Sequence, residues 1–142
     1  MKVSELMNTN VVSIAPEDTA SHAACLLARH NIGALPVCTP DGRLRGMVTD
    51  RDIVLRCVAS ESPPEETMAR ELMTRGVTTI SPHEDIREAA RLMSEEQVRR
   101  LPVVDAGRVV GMLSLGDMAR CHAYDMEASK ALADICESNK RF

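Results

Sequence analysis

Apolar and polar positions follow one pattern that runs through the chain twice. Val11 to Ile14 is a short apolar run closed by Pro16, and Val77 to Ile80 is another closed by Pro82. Both read as strands that cannot continue past the proline. Helical spacing follows in each case: Ala20, Ala23, Ala24 and Leu27 first, then Ile86, Ala89, Ala90 and Met93. The alanines leave a low stripe on which a helix can lie close to a sheet. Ser81-Pro82-His83-Glu84-Asp85 predicts the start of the second of these helices, with proline early and carboxylates at the positive end of the dipole. A pair of strands comes next. Leu35-Pro36-Val37-Cys38 turns through Pro40-Asp41-Gly42 into Leu44 to Thr49; Leu101-Pro102-Val103-Val104 turns through Asp105-Ala106-Gly107 into Arg108 to Ser114. Gly42 and Gly107 supply the positive φ that such tight connections need. A further helix opens each closing segment, with Ile53, Val54 and Val58 in one and Met118 in the other. The predicted unit is β-α-β-β-α, an α/β (α+β) arrangement.

The identities repeat as well as the pattern. Glu5-Leu6-Met7 returns as Glu71-Leu72-Met73 and Leu35-Pro36-Val37 as Leu101-Pro102-Val103, at a constant offset of 66. After one residue is lost in the turn, Gly46-Met47-Val48-Thr49 returns as Gly111-Met112-Leu113-Ser114. Duplication of this length predicts two pseudo-symmetric repeats packed through their sheets, completing one core between them and leaving equivalent clefts for small molecules. The repeats are expected over residues 1–59 and 68–122, joined by a polar, proline-stiffened linker over 60–67. Residues 123–142 form a tail in which Met126, Leu132, Ile135 and Cys136 fall near helical spacing, ending in Lys140-Arg141. This predicts one extra amphipathic helix.

Composition narrows the chemistry. Among 142 residues there are one Tyr, one Phe and no Trp, so aromatic stacking platforms for single-stranded nucleic acid are not expected. The net charge of −4 does not favour a polyanion either. Nine Met residues fill the place aromatics usually take in a core. The five cysteines, Cys25, Cys38, Cys57, Cys121 and Cys136, form no CxxC pair, and their odd number suits a reducing compartment. Most are expected to be inert and at least half-buried; Cys38, on a core strand near a cleft rim, is placed for redox sensing, but nothing nearby in sequence lowers its pKa, so inert burial is expected there too. No secretory leader or membrane-length apolar run is read, so the expected location is cytoplasmic. His22, His30, His83 and His122 lack ligand spacing and predict no metal site. No arrangement of nucleophile, base and orienter emerges, so an enzyme is not expected.

The sharpest motif is Gly-Met-Val-Thr-x-x-Asp at 46–52, echoed as Gly-Met-Leu-Ser-x-x-Asp at 111–117. Thr49 or Ser114 stands where a strand gives way to a helix, with Asp52 or Asp117 three residues on. Such a pair is a capping box, which stabilises a helix start and nothing more. The same carboxylate could accept both hydroxyls of a vicinal diol such as ribose, while helix-start amides receive an anion. Both readings stand at this point.

Taken with His30-Asn31-Ile32-Gly33-Ala34-Leu35-Pro36-Val37 and Gln97-Val98-Arg99-Arg100-Leu101-Pro102-Val103, the motif resembles the cystathionine β-synthase (CBS) domain. Two in tandem resemble a Bateman module, here in the layout of small stand-alone bacterial proteins of the hypoxic-response type. The resemblance implies a regulatory module that binds an adenine nucleotide (AMP, ADP or ATP) without a cofactor, and that acts as a homodimer or through an unidentified partner protein. It implies one cleft in which Asp117 and Ser114 hold ribose or phosphate, Arg99 and Arg100 meet phosphate, and Val12, Ile32 and Met112 face the base. A second cleft would use Asp52 and Thr49, with Thr78, Val98 and Met47 around the base. There Gly33-Ala34 replace the arginine pair, and Arg51 is the substitute phosphate partner. Adjacent residues near a strand start usually face opposite ways, so one of Arg99 and Arg100 could be merely solvated. S-adenosylmethionine would satisfy the same diol and base contacts. A scaffold with empty clefts is the competing reading.

Overall fold

A computed structural model describes residues 1–121 and 124–138. His122, Lys140 and Arg141 lie outside the described residues. In chain order the elements are α1 (Val3–Leu6), α2 (Ala20–His30), β1 (Ala34–Cys38), β2 (Leu44–Thr49), α3 (Asp50–Ile53), α4 (Ala69–Leu72), α5 (Ile86–Glu96), β3 (Arg100–Asp105), β4 (Arg108–Ser114), α6 (Leu115–Ala119) and α7 (Asp125–Ser138). They form two compact units, one made of Val12–Val77 and the other of Met1–Val11 with Thr78–Phe142. The sequence repeat counts from α1, whereas the compact units divide at residues 11 and 77. The segment that precedes each repeat in the chain is therefore part of the unit built by the other repeat.

In the Val12–Val77 unit, β1 and β2 form an antiparallel hairpin whose register slips between Val37 and Cys38. The expected first strand shrinks to one bridged residue: Ile14 donates to the Pro36 carbonyl at 3.0 Å and accepts from Cys38 at 2.8 Å. Pro16 follows so soon that no longer ladder can form. On the other side of the hairpin Met47 exchanges two backbone bonds with Thr74, of 3.0 and 2.8 Å. Helix α2 covers the hairpin with Ala20, Ala23 and Leu27; Ala24, expected in the stripe, is exposed. Thr19 caps α2 by accepting from the His22 amide, and Asn31 ends it in the left-handed region at φ 51°. Helix α3 runs into a wider π-helical turn, Val54–Val58, which turns Cys57 into the core and leaves Val54, Leu55 and Val58 exposed.

The second unit repeats this plan. Strands β3 and β4 pair with the same slip, between Val103 and Val104. Ile80 is the single bridged residue beside β3, and Asn8 exchanges bonds of 2.8 and 2.9 Å with Met112 beside β4. Helix α5 begins later than Pro82 predicts. Its cap is Asp85, whose carboxylate accepts from the Arg87 amide, so Pro82 and His83 lie in the preceding turn. All four expected stripe residues, Ile86, Ala89, Ala90 and Met93, are buried. Gln97 ends the helix at φ 58°, the counterpart of Asn31 at the same offset. Helix α7 has no equivalent in the first unit. It buries Ala128, Ala131 and Ile135 in the core formed with Met93, Leu113 and Met118.

Candidate functional site

The duplicated motif folds the same way in both units. A strand ends at Thr49 or Ser114, and the acid three residues later turns back on it. Thr49 Oγ1 accepts from the Asp52 amide at 3.1 Å while Asp52 Oδ2 accepts from the Thr49 amide at 3.0 Å. In the second unit Ser114 Oγ accepts from Asp117 at 3.1 Å, and Asp117 Oδ2 accepts from the Ser114 amide at 2.9 Å. Both are complete capping boxes. The cap occupies one carboxylate oxygen, Oδ2, and leaves the other, Oδ1, outside it. The structural and the ligand-holding readings of these acids are therefore compatible.

Arginine meets the outer oxygen in each unit. Arg120 Nη2 lies 2.5 Å from Asp117 Oδ1. Arg56 Nε lies 4.0 Å from Asp52 Oδ1, while its Nη1 donates to the Leu72 and Met73 carbonyls at 2.8 and 3.2 Å. Arg56 is thus tied to the backbone, whereas Arg120 is 73% exposed and can swing away at little cost. The sequence reading did not include Arg120 or Arg56; their signal was the i, i+3 and i, i+4 helical spacing to the acids.

The second unit gathers Arg99, Arg100, Met112, Ser114 and Asp117. Arg100 stands opposite Ser114 in the β3–β4 ladder, and the Leu115 amide donates to the Arg99 carbonyl at 2.8 Å. Arg99 precedes the strand rather than lying in it, so alternation does not separate the two side chains. Both line a surface cavity of about 470 Å3 together with Ser114, Leu115, Gly116 and Ala119, and with Asp125, Ala128, Ser129 and Leu132 of α7. That α7 forms a wall beside the motif was not foreseen from its amphipathic pattern. Met112 is half-buried and Val98 half-buried, both in this unit. The first unit holds Thr49, Asp52, Arg51 and Met47; the Asp50 amide donates to Gly33 at 3.1 Å, so glycine stands where Arg99 stands in the other half. Met47 is buried, Val12 half-buried and Ile32 exposed, all in the Val12–Val77 unit, whereas Thr78 belongs with the second.

The remaining candidates resolve simply. Cys38 and Cys57 are buried, Cys121 half-buried, and Cys25 and Cys136 exposed. Burial pushes the Cys38 thiol up, which disfavours the thiolate that redox chemistry needs. Among the described residues no group of three or more His, Cys, Asp or Glu side chains could hold a metal ion.

The model of the CBS domain matches residues 3–58 and 69–123. The chain belongs to the CBS domain family. CBS pairs are regulatory ligand-binding modules, and this one is a tandem pair with two small sheets and packed helices. It is 38% identical over 137 residues to the CBS domain-containing protein YhcV of Bacillus subtilis, covering 96% of both chains. It is 39% identical over 116 residues to hypoxic response protein 1 of Mycobacterium tuberculosis, covering 82% of this chain and 81% of that one. A crystal structure of hypoxic response protein I, with two coordinated zinc ions, superposes with a TM-score of 0.79 at 37% identity, over 85% of this chain and 98% of that one. The CBS domain pair of protein MJ0100, in complex with 5′-methylthioadenosine and S-adenosyl-L-methionine, superposes at 0.77 with 29% identity, over 87% and 96%.

Proposed function

We propose that this CBS pair is a regulatory sensor that binds an adenine nucleotide at the Ser114–Asp117 site. The observation that carries the reading is the cavity lined by two arginines, Arg99 and Arg100, beside the Ser114 cap. Guanidinium matches phosphate in charge and geometry. Asp117 Oδ1 accepts the ribose diol once Arg120 moves off it, and Met112 of the same unit supplies apolar surface for the base. The adenosyl ligands of the MJ0100 pair support the nucleoside part of this assignment. At the Thr49–Asp52 site, with Met47 in the same unit, glycine replaces the arginine, and Arg51 is the candidate phosphate partner; a weaker site is expected there.

The chain acts without catalysis in this reading. Output passes through a homodimer or a partner protein, for which Val54, Leu55 and Val58 offer exposed apolar surface. Among the described residues no helix is long and apolar enough to cross a membrane, and cytoplasmic action is proposed on composition. Calorimetric titration with AMP, ADP, ATP and S-adenosylmethionine tests the assignment. Micromolar binding of a nucleotide, lost in Asp117→Asn, supports it. Binding of S-adenosylmethionine alone would replace the phosphate reading, and silence from all four would leave a scaffold.

A further inference from the structure

Two neighbouring cavities of the second unit differ in how their charges are matched. In the one between α5 and α7, of about 330 Å3, Arg91 pairs with Glu88 and Glu95, Arg87 with Glu127 at 3.6 Å, and Lys130 with Asp134 at 3.1 Å. In the cavity beside Ser114 the charged lining residues are Arg99, Arg100 and Asp125, and none of the three makes an ion pair among the described residues. The arginines stand on the motif side. Opposite them α7 presents Asp125, the hydroxyl of Ser129, and the apolar Ala128 and Leu132. Lys130 is the only cation of α7 among the described residues, and it lines the other cavity.

We infer that α7 makes this cavity a filter for phosphate number, with Asp125 as the specificity-determining residue. The inference rests on the nucleotide reading above. The first phosphate of a nucleotide seated on Ser114 and Asp117 meets Arg99 and Arg100. A longer phosphate chain continues toward α7, where it finds the Asp125 carboxylate, a single neutral hydroxyl and apolar side chains in place of cations. Each added phosphate brings negative charge toward Asp125, and two such charges a few ångströms apart at a surface repel by an amount worth a several-fold loss of affinity. The site therefore prefers a nucleoside monophosphate to its triphosphate.

The test is calorimetric titration of the full chain with AMP, ADP and ATP in EDTA, so that no divalent cation bridges phosphate to carboxylate. The unchanged protein is expected to bind in the order AMP, ADP, ATP, from tightest to weakest. Asp125→Asn should bring the ATP and AMP affinities closer by about three- to tenfold. Ser129→Arg, which places a cation on the same wall, should bring them closer still. The filter is overturned if the unchanged protein binds ATP as tightly as AMP, or if both substitutions alter the three affinities in step. Absence of binding by any of the three in the unchanged protein would instead overturn the nucleotide reading on which the filter rests.

Discussion

At the scale of single residues, the motif glycines and acids do separable work. A Cβ built on Gly46 would lie 2.7 Å from the Thr74 carbonyl oxygen, and one on Gly111 would lie 2.6 Å from Met7 Sδ. The glycines thus admit the crossing segments at residues 73–74 and 7–8 against their hairpins. A backbone carbonyl held in a bridge cannot retreat, whereas a thioether can rotate. Gly46→Ala is therefore expected to cost about 1–3 kcal/mol and Gly111→Ala less, measured by urea denaturation. The acids call for a finer substitution than alanine. Asp117→Ala removes both the cap and the outer oxygen, and is expected to cost about 1 kcal/mol of stability. Asp117→Asn retains an oxygen to accept from the Ser114 amide but loses the outer carboxylate oxygen. It should keep its melting temperature near that of the parent while losing nucleotide. Equal losses of stability in both variants would leave Asp117 with no separate role at Oδ1. The sequence showed the Ser-x-x-Asp spacing but could not show which oxygen the cap consumes.

At the scale of elements, α7 sets the second unit apart from the first. It docks through apolar contacts, with Ile135 2% exposed, and through polar ones at its rim. The Ser94 hydroxyl and the Lys130 ammonium donate to Asp134, and these bonds hold its carboxyl below the usual range. Glu88 of α5 is lowered in the same way by Arg91. A carboxylate whose folded pKa is depressed contributes stability above its unfolded pKa and loses it as the pH falls through the folded value. Stability is thus expected to decline below about pH 4, and Asp134→Asn should flatten that decline in thermal melts across pH 2–6. Ile135→Ala should cost about 2–5 kcal/mol, read from chemical denaturation. The helices were legible because their apolar spacing is strong: α5 buries all four expected positions. Their first turns were less so. Pro82 and Asp85 are both good opening residues, and only the hydrogen bond from the Arg87 amide shows that Asp85 is the cap.

At the scale of the whole chain, Val3 is fully buried in the core that contains Ile80, Ile86 and Met118. The first residues of the chain therefore belong to the unit made mostly of its second half. Val3→Ala is expected to accelerate amide hydrogen exchange across 78–121 and to leave 12–77 nearly unchanged. Uniform acceleration over both stretches would contradict the assignment of residues 1–11. The sequence alone determined the duplication, the alternation of helix and hairpin, and the capped acids at each strand end, because these rest on local spacing. Periodicity, turn glycines and caps act within a few residues, and their imprint is written in order along the chain. Only the tertiary structure decided that residues 1–11 and 68–77 change places between the units, that the first strand of each repeat is a single bridge, and that α7 walls the arginine cavity. Those outcomes depend on which apolar faces meet across long stretches of chain, where sequence order carries no distance.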